Sequence, residues 1–418
     1  MTNPDDTLTD LLAGHLHDVV ALRRDIHAHP EVSRAEKRTT DRLAERLRAA
    51  GLKPRLLPGT GLVCDIGDPQ APALGLRADL DALPLTEETD LPFASTVPGV
   101  AHACGHDVHT AVVLGAGLLL ADLDRAGRLP GRVRLVFQPA EETQPGGALD
   151  VVSAGGLDGV HSIYAVHCDP HTDVGRVGLL TGPITSASDH VLVRLRGEGG
   201  HTSRPHLTGD LVFALAKVAT EVPAVLSRRL DPRSGAALVW GRISAGGAAN
   251  AIPRQGVLEG TLRCLRQEAW HAAGELLPQV VAELVAPYGL TAEVEHTRGV
   301  PPVVNDAAAV SLLETAAREE LGEDAVVPTD QSLGGEDFSW YLEQVPGALA
   351  RLGTRTPGGP TYDLHRGDFV ADERAIAVGA RLLAATAVRG ATAVVEGTDE
   401  LPEAVSGAVA GAVPVADR

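Results

Sequence analysis

Nine consecutive residues constrain this chain more than any other stretch: His102-Ala103-Cys104-Gly105-His106-Asp107-Val108-His109-Thr110, with three histidines, a cysteine and an aspartate among them. Residues 111–120 are apolar and mostly small, a pattern that predicts a helix. A knot of metal-ligand side chains ahead of an apolar helix calls for a fold that brings further ligands from elsewhere. Residues two apart in an extended loop project the same way, so Cys104 and His106 are expected to reach one ion. A thiolate and an imidazole suit zinc or a similar divalent metal. A lone Cys-x-His is more often a buried cysteine beside a structural histidine, and it is the rest of the chain that turns the reading toward metal.

The flanking sequence reads as alternating helices and strands. Amphipathic spacing predicts a helix over 8–27 and a charged one over 35–50, closed by Gly51. Strands are predicted over 62–66 and 73–78, the second running into Arg77-Ala78-Asp79-Leu80-Asp81. A strand over 133–137 leads into Gln138-Pro139-Ala140-Glu141-Glu142, and one over 162–166 delivers His167 at its end. This order predicts an α/β fold with a mostly parallel sheet flanked by helices. Functional groups in such sheets gather beyond the carboxyl ends of the strands, where Asp79, Glu141, Glu142 and His167 are expected.

From about residue 174 the pattern changes. Strands over 191–195, 237–243, 256–265 and 290–296, with helices over 211–230 and 268–286, give the order of a ferredoxin-like α+β unit. The first pattern then resumes with a helix over 306–321, the loop Gly334-Gly335-Glu336-Asp337-Phe338, a strand over 348–352, His365 and a helix over 373–387. The organisation expected is one domain over 1–181 and 298–390, interrupted by another over 182–297, with a flexible tail over 391–418.

Each candidate group has an ordinary reading beside the chemical one. Adjacent acids such as Glu141 and Glu142 are usually solvated charge. A metal hydrolase, however, needs one carboxylate on the metal and one free to take a proton, and spacing does not say which is which. His167 and His365, with Cys104, His106 and a glutamate, make five candidate ligands. One tetrahedral ion takes about four ligands including water, so five point to two ions. Asp79 would orient a ligand histidine, support the base or merely cap a turn. His102 and His109 are left as support. In the inserted unit, His201 and Asn250 follow glycine pairs and Arg263 lies on a strand. They suit a substrate carboxylate or a developing oxyanion, or are simply polar turn tips.

Composition removes other classes. The net charge of -19 comes with no basic block, which argues against nucleic acid or anionic membrane as partners, and 3% aromatics argue against base stacking. Four scattered cysteines without a CxxC pair indicate neither a disulfide framework nor a cysteine zinc knuckle. Residues 1–10 lack a signal-peptide core, and no apolar run approaches the roughly 20 residues of a membrane span. The expectation is a cytoplasmic, reducing setting in which Cys104 stays a thiol.

Four motifs in order, Arg77-Ala78-Asp79-Leu80-Asp81-Ala82-Leu83-Pro84, His102-Ala103-Cys104-Gly105-His106-Asp107, Pro139-Ala140-Glu141-Glu142 and Gly335-Glu336-Asp337-Phe338, resemble the M20 metallopeptidases. The closest likeness is to the amidohydrolase branch of hippurate hydrolase, N-acyl-amino-acid hydrolases and plant auxin-conjugate hydrolases, and it runs from about His27 to residue 390. The resemblance implies two divalent ions (zinc, manganese or cobalt) on Cys104, His106, Glu142, His167 and His365, with Glu141 as general base and Asp79 beside it. It implies that residues 182–297 form a lid and dimerisation domain in a homodimer or homotetramer. His201 would reach a partner subunit's site and polarise the scissile carbonyl, and Asn250 and Arg263 would meet the substrate's carboxylate end. Arg77, where the peptidase branch has a ligand histidine, fits the amidohydrolase branch. Val108 departs from a common glycine, and Arg366-Gly367-Asp368-Phe369 replaces the usual Ser-Pro after His365. The implied activity is hydrolysis of the amide bond of N-acyl amino acids or small amide conjugates, without nucleic-acid or membrane partners. A dipeptidase or aminopeptidase on the same site is the alternative. A catalytically silent metal- or ligand-binding relative is a third reading, and the intact Glu141 and ligand set count against it.

Overall fold

In the computed structural model, which describes residues 7–398, alternate side chains of four parallel strands feed two different cores. Leu74, Leu76 and Ala78 of the strand Ala73–Asp79 lie on one face with Leu135 and Phe137 of Arg132–Gln138, Tyr164 and Val166 of Val160–Asp173, and Ala348, Ala350 and Leu352 of Gly347–Arg355. Ala73, Val136, Ile163, Ala165 and Leu349 lie on the other. The alternation is the pleat of a strand, and burial of both faces is why these segments read as near-continuous apolar runs.

The whole sheet has eight strands, in the order Arg55–Leu56, Leu62–Gly67, Arg132–Gln138, Ala73–Asp79, Val160–Asp173, Gly347–Arg355, Val177–Leu179 and Val326–Pro328. The expected mostly parallel sheet is present, with antiparallel pairs toward its edges. Helices Leu8–Ala28, His106–Arg125, Ala307–Leu321 and Arg374–Glu396 share the larger core with one face. The first opens on a capping box, in which Thr7 Oγ1 accepts from the Asp10 amide and the Asp10 carboxylate accepts from the Thr7 amide.

Two expectations need correction. His106–Arg125 and Arg374–Glu396 do have the length and mean hydropathy (1.2 and 1.3) of a membrane span. The first is buried from His106 to Leu123 and packs against both Leu8–Ala28 and Arg374–Glu396, so its apolar surface belongs to the core. The second runs to Glu396, past the end predicted at 387 and into the tail predicted from 391. Gly390 and Ala391, where the sequence looks low in complexity, continue the buried packing face of Gly379, Ala380, Ala384 and Ala387. The remainder of the predicted tail, 399–418, lies outside the described residues.

A second, antiparallel sheet has the order Ala237–Ala245, Gln255–Arg263, Ser188–Arg196, Thr291–Val300. Helices Leu211–Arg229 and Gln267–Val285 pack on one face around a separate core that includes Val193, Leu215, Leu258 and Trp270. The chain order is strand, helix, strand, strand, helix, strand, as the periodicities predict. The last strand extends to Val300, four residues beyond its predicted end at 296.

Candidate metal centre

The knot at 102–110 is not an extended loop. His106 is the first residue of its helix, capped by Gly105 at φ +85°. A Cβ on Gly105 would also stand 2.7 Å from Cys168 Sγ, so both the backbone angle and the close approach require glycine. It is this turn, rather than extended alternation, that brings Cys104 and His106 together. Their ligand atoms and that of His167 lie within 4.8 Å of one another.

His167 does not end its strand, which continues to Asp173. It comes level with the end of the neighbouring strand, because Arg77 pairs with Ala165 and that strand stops at Asp79. His167 Nδ1 donates to the Cys168 carbonyl at 2.9 Å, which leaves the Nε2 lone pair facing Cys104 Sγ at 3.6 Å.

The two adjacent glutamates are divided by a strained turn. Ala140 has φ +56°, sparsely populated by residues with a side chain, and its amide donates to Glu36 Oε1 at 2.8 Å. The next two amides both donate to Asp81, at 3.0 Å each. From this turn Glu142 Oε1 reaches 3.3 Å from His365 Nε2 and 3.7 Å from His106 Nε2. Glu141 instead groups with Glu336 and Asp337, and its Oε2 lies 3.9 Å from His106 Nε2. His365, itself at φ +61°, is tied to the knot by its amide, which donates to the Ala103 carbonyl at 2.8 Å.

The donor set fits divalent cations. His106 Nε2 and Glu142 Oε1 are buried without hydrogen-bond partners among the described residues, and an ion between them would satisfy both. Burial, with the charges of Glu336, Glu142 and Asp337, holds Glu141 well above the usual carboxylate range. Burial and the Glu142 charge push the Cys104 thiol up. Burial and Arg351 hold His167 well below its ordinary value, so it is a neutral imidazole. A cation reverses the penalty on each acidic group, and a neutral histidine is ready to bind it.

Behind these groups lies a buried ion network. Asp79 accepts from His109 Nδ1 at 2.7 Å and from Arg77 at 2.7 Å, while His109 Nε2 accepts from the Cys168 amide at 2.8 Å. Asp79 is thus committed to His109 and Arg77, with its Oδ2 at 3.7 Å from His106 Nε2. Arg77, 1% exposed, also donates to Gln138 at 2.8 Å, Glu336 at 3.0 Å and Asp337 at 2.8 Å. Burial pushes Asp337 up to about 8, with Arg77 opposing and Glu336 adding to the shift.

The five expected ligand residues do not all sit equally deep. Cys104, His106 and His167 are buried, Glu142 is half-buried and His365 is exposed. Cys104, Glu142, His167 and His365 line a cavity of about 510 Å³ with Glu141 and, from the second sheet, Arg263. Arg263 donates to the Leu333 carbonyl. His201 and Asn250 are exposed and adjoin each other, with the Thr202 amide donating to the Asn250 carbonyl at 3.3 Å, but neither lines this cavity. Sequence reasoning missed Glu36 and Asp81 as organisers of the glutamate turn, Glu336 and Asp337 as neighbours of Glu141, and Arg351. For Arg351 the available signal was one charge inside an apolar strand.

Residues 75–389 match the family described as Peptidase family M20/M25/M40. A Rhodococcus jostii (strain RHA1) protein, provisionally named glutamate–cysteine ligase 2-3, is 51% identical over 368 residues, 88% of this chain. The chain spans only 46% of that relative's length. The N-acetyl-L-cysteine deacetylase of Bacillus subtilis (strain 168) is 38% identical over 86% of this chain and 84% of its own length. The solved structure of the Bacillus subtilis YXEP protein, described as a dinuclear metal-binding peptidase of family M20, is 34% identical with a TM-score of 0.79. That match covers 91% of this chain and 99% of the YXEP chain.

Proposed function

The chain belongs to peptidase family M20/M25/M40 and is a metal-dependent amide-bond hydrolase, and from that premise we propose that it cleaves N-acyl amino acids to a carboxylic acid and a free amino acid. The observation that carries this reading is Glu141, a largely buried carboxyl on the wall of the cavity lined by Cys104, Glu142, His167 and His365, with its Oε2 3.9 Å from His106 Nε2. The deacetylase relative makes N-acetyl-L-cysteine the first substrate to try.

Cys104, His106, Glu142, His167 and His365 would hold two divalent ions, with zinc, manganese and cobalt all compatible with mixed S, N and O donors. Such ions would polarise the scissile carbonyl and acidify the attacking water. Glu141 takes the proton of that water and returns it to the leaving nitrogen, roles that suit a carboxyl with raised proton affinity. Asp79 holds His109 and Arg77 in place behind the site and takes no proton itself. Arg263 meets the α-carboxylate of the substrate, with Asn250 joining it when the second sheet closes as a lid over 182–297. His201 lies away from its own chain's cavity, so we place it in the oxyanion contact of a second copy within a homodimer. Four buried free thiols suit a reducing, cytoplasmic setting.

A panel of N-acetyl and N-benzoyl amino acids against free dipeptides, on protein of measured metal content, tests this reading. N-acetyl-L-cysteine or another acyl amino acid should show kcat/KM about tenfold or more above any dipeptide, a margin of roughly 1.4 kcal/mol. Faster cleavage of free dipeptides would favour a dipeptidase and overturn the proposal.

A further inference from the structure

Arg351 is the one charged residue inside the strand Gly347–Arg355 before its last position, and it is 8% exposed. It pairs with His167 across the parallel ladder, which puts both side chains on one face of the sheet. Among the described residues its guanidinium makes no hydrogen bond and has no carboxylate within 4.0 Å. The contrast with Arg77 is direct: that buried guanidinium is fully engaged, with Glu336 at 3.0 Å. Glu336 and Asp169 act on Arg351 only through longer-range charge. The guanidinium is thus open to the cavities it lines rather than committed to the protein, and its planar fork matches a carboxylate.

The residue also marks a boundary. Arg351 lines both the 510 Å³ cavity of the metal centre and an adjoining cavity of about 420 Å³. The adjoining cavity is bounded by 168–172, 328–332, Asp363 and Leu364, with nothing from the second sheet that carries Arg263. Both arginines line the metal-centre cavity, but only Arg351 reaches the adjoining one, so an anion held there would meet Arg351 and not Arg263.

We propose that Arg351 is a specificity-determining residue that receives a carboxylate at the far end of the acyl group. The preferred substrates are then N-acyl amino acids of the succinyl or glutaryl class, with Arg263 on the α-carboxylate and Arg351 on the acyl carboxylate. This rests on the acyl-amino-acid reading above and names the acyl class within it.

The test compares kcat/KM for N-glutaryl and N-acetyl derivatives of one amino acid, in metal-loaded wild type and Arg351→Met. Wild type should favour the glutaryl substrate about tenfold or more, and Arg351→Met should lower the glutaryl-to-acetyl ratio by about 10- to 100-fold, the range of one charge-assisted contact. Binding of N-glutarylglycine and N-butyrylglycine to metal-loaded Glu141→Gln protein, with and without Arg351→Met, should show the same preference and its loss. Hydrolysis of N-acetyl substrates with no glutaryl preference in wild type would overturn the role of Arg351 and leave the acyl-amino-acid reading standing. An equal fall for both substrates in Arg351→Met would show a purely structural residue and overturn it too. No turnover of any N-acyl amino acid by metal-loaded wild type would overturn both.

Discussion

Metal-loaded Glu141→Gln protein is expected to lose about 100- to 10,000-fold in kcat while binding as much metal as wild type. The amide keeps the size and hydrogen-bonding reach of the carboxyl but has no basic oxygen to receive a proton. Metal retention is expected because Glu142 contacts both His106 and His365, whereas Glu141 approaches His106 alone and otherwise groups with Glu336 and Asp337. KM should change little, because the lost proton transfer belongs to the transition state. Steady-state kinetics with metal analysis of the same samples checks both halves. Wild-type turnover in this variant would remove Glu141 from the reaction, and loss of metal would make it a ligand. The replacement also removes a charge from a crowded acidic group, so folding stability should hold or rise.

Arg77→Met should destabilise the protein by about 3–5 kcal/mol, the usual consequence of removing one side of a buried charge network. Arg77 is 1% exposed and bonded to Asp79, Glu336, Asp337 and Gln138. Methionine fills much of the space but leaves three carboxylates facing one another. Asp337, already pushed up to about 8, loses its opposing charge and moves further up, which favours its neutral form. The network joins the strand Ala73–Asp79 to the strand Arg132–Gln138 and to the loop at 336–338, so its loss should loosen the wall beside Glu141 as well. Urea unfolding followed by circular dichroism measures the change as a lower midpoint. An unchanged midpoint would mean that the carboxylates find other partners.

Most of the large sheet was legible because its strands are buried on both faces and leave little but apolar residues between turn signals. Cys104, His106, Glu141 and Glu142 stood out as candidates because they lie in dense motifs. His167 was placed at a strand end because Asp169, Pro170 and His171 look like a break, and the ladder to Gly347–Arg355 does shift register there, but it pairs through Asp169 and resumes at Asp173. Glu36 and Asp81 were not legible as site residues. They act by accepting amides from a turn 104 and 60 residues further along, a relation that no local pattern carries. The last helix was legible to 387, but Gly390 and Ala391 read as the start of a tail, although their small size is what lets the helix run on against the core, with Gly390 beside Leu74. Arg351 stood out in its strand, but only the structure shows that it lacks a partner and borders two cavities.

The most direct test of the central claim is turnover of N-acetyl-L-cysteine against metal bound per chain. Metal-free protein should be inactive, activity should rise as metal is added back, and the maximum should come when two ions are bound per chain. Full turnover without metal, or a maximum at one ion with no response to a second, would contradict a two-ion centre built from Cys104, His106, Glu142, His167 and His365.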